Sequence, residues 1–418
     1  MLKQLIIVMF MTGSIFAATP LRWEDCVKEA LSNNPDLKSA KEKIFQAEQD
    51  LLTVQSGGAL QASASVSQSN SFPLTSGTYS ASSGYSLSGR YLLYDANKYT
   101  FEVSAAKEKV KAAGFSYETV SGAVRYGLRA AFLELFNTQE LINITEDIKK
   151  SRKENYDMVK LSYDAGREHK GSVLLAEANL LQAEYEVKAA RRNLELSSAK
   201  LIRQLGRKDD TPVKVAAELN LKNILKEKPE LKILAEKNPS YKQTLAQKAL
   251  AEYNLKSARA AFAPQVSLTG SARRNVSNFA WDVPDLSAGI SVSLQLLDGG
   301  SRTAAVNKAT SVILQADFDL FTAAFDLEVA LLNSWINFQN TLELAGVKKK
   351  FLEATKERAA ITEVQYANGL TTFDNFTIIE DDLVNSKKAL LNAQINYLNA
   401  ENSWLNARGV VLDTAILP

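Results

Sequence analysis

Apolar residues return every seven positions near the end of the chain: Phe376, Leu383, Leu390, Tyr397 and Trp404. Three places after each stand Ile379, Ser386, Ala393, Ala400 and Ala407, most of them small. An earlier stretch obeys the same rule, with Val173, Leu180, Val187, Leu194 and Leu201 followed by Ala176, Ala183, Ala190 and Ser197. A seven-residue period keeps one seam of a slightly underwound helix against a partner, so these stretches predict helices packed as a left-handed coiled coil. The small seam positions predict a close approach of the helices. An ordinary helical-bundle core is the alternative reading of the same seam.

Elsewhere the period drops to two, the signature of a strand with two unlike faces. Leu60, Ala62, Ala64 and Val66 alternate with Gln61, Ser63, Ser65 and Ser67. Val266, Leu268, Gly270 and Ala272 alternate with Gln265, Ser267, Thr269 and Ser271. Ile290, Val292, Leu294 and Leu296 alternate with Ser291, Ser293 and Gln295. Four strands are expected, at about 59–70, 84–94, 264–274 and 286–297. The loop inside the first pair holds Phe72, Pro73 and Gly77; the loop inside the second holds Phe279, Trp281 and Pro284.

These landmarks occur twice in one order. Tyr163 and Gly166 of "YDAG" match Tyr366 and Gly369 of "YANG" (369 − 166 = 203), Asp95 matches Asp298 (298 − 95 = 203), and Gly206 matches Gly409 (409 − 206 = 203). Pro35 of "NNPDLKSA" and Pro239 of "KNPSYKQT" are offset by one more (239 − 35 = 204). The chain therefore reads as a duplicated unit: residues 18–206, a polar linker at 207–237 with Pro212 and Pro229, residues 238–410, and a tail at 411–418. Each copy predicts a helix, two strands and two long helices. Pro35 suits the first turn of its helix, and Asp95 and Asp298 suit the caps of the long ones. The helix from Asp95 to about Tyr163 comes to roughly 100 Å at 1.5 Å per residue. No compact domain needs that length, and two such helices turning back at a glycine predict a rod.

Composition adds a compartment. Residues 1–17 open with Lys3, continue as a short apolar run from Leu5 to Phe16, and reach small residues at Ala17 and Ala18, as a secretory signal does. The later stretch Val312 to Leu332 carries Asp317, Asp319, Asp326 and Glu328, which argues against a spanning helix there. Strands of ten to twelve residues instead suit a tilted crossing of an outer-membrane-type bilayer, apolar face to lipid and hydroxyl face to water. Four strands cannot close a barrel, and open edges in lipid cost several kcal/mol per unpaired polar group. Two chains would give eight strands and a filled interior; three would give twelve and room for a pore.

Candidate chemistry is sparse. The 49 basic and 47 acidic residues nearly cancel, which gives no electrostatic reason to expect nucleic acid. Cys26 is the only cysteine, so no internal disulfide forms, and it reads as a small buried residue of an amphipathic helix. His169 is the only histidine, which removes His-based triads and zinc sites; no catalytic residue or cofactor site is expected. "GREHKGS" fails as a phosphate loop because Ser172 stands where lysine is required. Asp381 and Asp382 are adjacent on a helix and read as a solvated face. Gly166 and Gly369 end their long helices as left-handed caps would, and Thr371 or Thr372 suits the cap of the next helix, with Asp374 or Asn375 at its third position.

The proline-led helix starts, the two strand pairs, the "YDAG" and "YANG" turns and the "LG" and "RG" helix ends resemble the outer membrane efflux protein family, the TolC family, over nearly all of the mature chain. The resemblance implies a homotrimer with one twelve-stranded barrel in the outer membrane, continued by a twelve-helix tunnel across the periplasm. It implies a periplasmic adaptor and an inner-membrane pump as partners, and passive export without an energy source in this chain. It places Gly166, Arg167, Gly369 and Leu370 at a periplasmic tip where the adaptor docks, and Ser172, Asp374, Asn375 and Ile378 at the gate. Family members often carry acidic residues after the second turn; alignment on Gly369 puts Asn375 and Ile378 there, so an acidic ring is displaced to Asp374 or reduced. A periplasmic coiled-coil or adaptor protein without a pore is the competing reading; it accounts for the heptads but not for the strands.

Overall fold

The computed structural model describes residues 20–72, 77, 79–209, 211–217, 228–277, 280–281 and 283–416. The expected signal sequence and Phe279 lie outside them. The helices are α1 (Trp23–Asn33), α2 (Pro35–Ser56), α3 (Lys98–Asp164), α4 (Lys170–Leu205), α5 (Leu231–Lys237), α6 (Pro239–Ala260), α7 (Ser301–Ala367) and α8 (Phe373–Ala407). The strands are β1 (Gln61–Ser71), β2 (Ser80–Tyr94), β3 (Gln265–Ser277), the two-residue β4 (Ala280–Trp281) and β5 (Asp285–Ser293). α5 falls inside the stretch read from sequence as linker. No helix among the described residues is long and apolar enough to cross a membrane.

The chain forms two compact units, and α3 and α7 contribute to both. One unit takes Asp36–Ser121 and Glu230–Leu332 and contains the sheet. Its long strands run β1–β2–β3–β5, all antiparallel, and the two copies meet at β2 and β3. The register sorts the side chains as the alternation requires. Ala64 pairs with Leu87, Leu87 with Ala272 and Ala272 with Leu286 on one face. The other face carries hydroxyl pairs: Ser63–Ser88 at 2.9 Å, Ser65–Ser86 at 2.7 Å and Ser271–Ser287 at 2.7 Å. β5 stops at Ser293, opposite Gln265, short of the expected 297. Pro264 precedes β3 and has no N–H to extend the ladder, so Leu296 and Leu297 fall outside the strand.

Both long helices begin at an aspartate. Asp95 accepts from the Tyr99 N–H at 2.7 Å, and Asp298 accepts from the N–H groups of Gly300 and Arg302, each at 3.0 Å. The chain enters α7 through Gly299 and Gly300 with φ of 63° and 88°; it enters α3 through Ala96 and Asn97 with φ of 55° and 65°. The copies thus make the same left-handed turn with different residues.

The other unit takes the described residues within Met1–Pro35, Gly122–Pro229 and Asn333–Pro418. Its core includes Leu128, Phe132 and Leu135 of α3, Leu201 and Leu205 of α4, and Tyr397 and Trp404 of α8. The seven-residue seams point inward: Val187, Leu201, Phe376, Tyr397 and Trp404 are buried, as are the small Ala176, Ala183, Ala190, Ala393 and Ala400. Trp404 packs on Trp335 and Tyr397 stacks on Phe338, with centroids 5.4 Å apart in each pair. Cys26 is fully buried on α1; burial, with Glu29 and Asp25 beside it, pushes its thiol up to about 12. Arg125 is buried too and donates to the carbonyls of Val410 at 3.1 Å and Asn402 at 3.2 Å, tying the end of the second copy to α3.

Candidate functional site

The two glycine turns close the helical hairpins in the same way. After α3, Gly166 has φ of 70°, its N–H reaches the Tyr163 carbonyl at 2.9 Å, and the Arg167 N–H reaches Ser162 at 2.8 Å. After α7, Gly369 has φ of 71°, with Gly369 to Tyr366 at 2.9 Å and Leu370 to Gln365 at 2.8 Å. This pair of bonds is the Schellman closure, and it needs a left-handed residue that glycine adopts without strain.

The next helices start under different caps. His169 Nδ1 accepts from the Ser172 N–H at 3.3 Å at the head of α4. Thr372 Oγ1 accepts from the Asn375 N–H at 3.3 Å at the head of α8, and Asn375 Nδ2 donates to Thr371 Oγ1 at 2.9 Å. Of the alternatives the sequence left open, Thr372 is the cap and Asn375 the third helical residue. Asp374, one place earlier, is exposed.

The turns are joined through Glu168. Its Oε1 accepts from the Ser172 hydroxyl at 2.9 Å and the His169 N–H at 3.1 Å, and its Oε2 accepts from the Tyr366 hydroxyl at 3.1 Å. Burial pushes the Glu168 carboxyl up, but these hydrogen bonds together hold it below the usual glutamate range. Burial and the Glu168 charge push the Tyr366 phenol up. The Tyr366 ring lies on Phe376, 4.8 Å between centroids and 5° from parallel, over a small core of Val159, Ala176, Phe373 and Phe376.

Arg167, Gly369 and Asp374 line one cleft between the turns, and Gly166 precedes Arg167 in the chain. Leu370 is 77% exposed and Ile378 60% exposed, while Ser172 is 2% exposed and held by Glu168. Ser172 therefore sits behind the surface that carries the other candidate gate residues. Asp381 and Asp382 stay about half exposed, as a solvated face would, and each also meets a cation: Asp381 pairs with Arg152 of α3, and Asp382 lies 3.7 Å from Arg358 of α7. The Glu168–Tyr366 link was not anticipated. Its partners are 198 residues apart, and no periodic pattern marks a bond between two turns.

No curated protein matches the sequence. Solved structures share its fold. CusC, a transmembrane channel, superimposes with a TM-score of 0.83 at 16% identity, over 92% of this chain and 91% of that one. The Campylobacter jejuni CmeC outer membrane channel gives 0.80 at 20% identity, over 92% and 84%. The open state of the Neisseria gonorrhoeae MtrE outer membrane channel gives 0.80 at 19% identity, over 92% and 88%. The family model for the outer membrane efflux protein matches residues 26–207 and 231–410, one block for each copy of the repeat. The chain belongs to the outer membrane efflux protein family.

Proposed function

We propose that this protein is the outer-membrane duct of a tripartite efflux or type I secretion system. Three copies close one twelve-stranded barrel, continue it as a twelve-helix tunnel in the periplasm, and conduct cargo passively from an inner-membrane pump and a periplasmic adaptor to the exterior. The observation that carries this is the sheet: four long strands with one apolar and one hydroxyl face, and open outer edges on β1 and β5 among the described residues. Such a sheet is stable in lipid only when further strands close it. Gly166, Arg167, Gly369 and Leu370 form the docking tip. Asp374, Asn375 and Ile378 form the gate, with Ser172 behind them, and the Glu168–Tyr366 bond holds the two turns together at rest.

The test is mass and conductance together. Detergent-purified protein should have a protein mass near three chains and form pores in planar bilayers. A stable monomer with full strand content would end this reading, as would a trimer that never conducts. A protein absent from detergent-extracted outer membranes would favour the periplasmic coiled-coil alternative.

A further inference from the structure

α8 carries a second seven-residue series besides its buried seam. Ile378 is followed at steps of seven by Asn385, Asn392, Asn399 and Asn406. Asn385, Asn392 and Asn406 are exposed and Asn399 is half-exposed, so the series forms one outward ridge. None of the described hydrogen bonds uses these four amide groups. Asparagine is a poorer helix former than alanine, glutamine or glutamate, so packing and propensity give no reason for this run. The first copy has no such series: the offset of 203 places Gln182, Ala189, Leu196 and Arg203 at the matching positions of α4.

The same unit exposes a face of opposite character. On α7, Leu344, Val347, Phe351 and Ile361 lie at coiled-coil spacing and are 44%, 49%, 59% and 58% exposed. An apolar seam of that kind takes another helix, and a second copy supplies one. The asparagine ridge offers no apolar surface to a helix; its amides both donate and accept, as suits water or uncharged polar groups.

We propose that the α8 asparagine ridge, from Asn385 to Asn406, lines the interior of the duct and keeps that wall uncharged over about 30 Å. Along this wall, away from the turns, cargo then meets neutral hydrogen-bonding groups rather than charge. This rests on the duct reading above. The test is the double variant Asn392→Asp/Asn399→Asp, which brings six carboxylates to a trimer, compared with wild type in planar bilayers under a potassium chloride gradient. The expected result is an unchanged assembled mass and a rise of at least about three-fold in the potassium-to-chloride permeability ratio. A conducting variant with an unchanged ratio overturns the proposal. So does a variant that falls apart into single chains, because the ridge would then lie between copies. A wild-type protein that forms no pore overturns the duct reading itself, and this proposal with it.

Discussion

At Glu168 one carboxylate accepts from its own turn, through Ser172 and His169, and from the other turn, through Tyr366. Its pKa is lowered in the fold, so its stabilising contribution is fully present above the ordinary glutamate range of about 4.3 and is lost as pH falls through the lower folded value. Glu168→Gln should therefore destabilise the protein near pH 7, and the difference from wild type should shrink below about pH 4; denaturation at both pH values measures this. Tyr366→Phe keeps the stacking ring and loses one bond, which should cost about 1 kcal/mol; if the turns form the proposed gate, it should also raise leak conductance. Asp374 tests differently. Thr372 and Asn375 hold the cap between them, so Asp374→Ala removes only a first-turn charge worth about 0.3–1 kcal/mol. If Asp374 faces the passage, the variant should lower cation preference in single-channel recordings with stability barely changed. Unchanged ion preference with lower stability would make it a helix-end charge and nothing more. At this scale the sequence was readable where a residue's own backbone needs dictate it, as at Gly166 and Gly369. It was silent where two distant side chains meet.

The elements were legible where a period runs long enough to repeat. The seams at Val187 and Tyr397 are buried as their seven-residue spacing requires, and Ala393 and Ala400, at 5% and 2% exposure, leave no room for more. Ala393→Leu or Ala400→Leu should overpack the seam and lower stability by roughly 1–3 kcal/mol, seen as a lower thermal midpoint. The end of β5 was not legible from its own residues, because the ladder stops where its partner begins, after Pro264. α5 was missed because 7 residues hold too little pattern to stand out from a polar linker. The duplicated turn before the long helices offers a controlled comparison. Nothing lies within 4 Å of the Cβ that an alanine at Gly299 would add, so Gly299→Ala isolates the cost of left-handed backbone, about 1–2 kcal/mol of destabilisation. Ala96 already bears that strain in the first copy, and Ala96→Gly should be neutral or stabilising by up to about 1 kcal/mol. Equal stability of all three proteins would show that the turn stores no strain.

For the molecule as a whole, the sheet of one chain pairs β1 only with β2 on one side, and β5 only with β3 on the other, among the described residues. In lipid such edges are costly, so a lone chain has little to gain by inserting its strands early. If several copies close one barrel, as proposed, their strands must find one another at or before the bilayer, and the order of the reaction follows. Barrel formation should be a multi-body event, with a rate that climbs faster than in proportion to protein concentration at fixed lipid. Stopped-flow dilution into vesicles, followed by tryptophan fluorescence and by resistance of the barrel to denaturation in gels, measures that order. A half-time independent of concentration over a ten-fold range would mean that each chain satisfies its own edges before it meets another. If assembly is multi-body, as the proposed duct requires, a cell that dilutes this protein, or makes it slowly, would accumulate unassembled chains well before it accumulates pores.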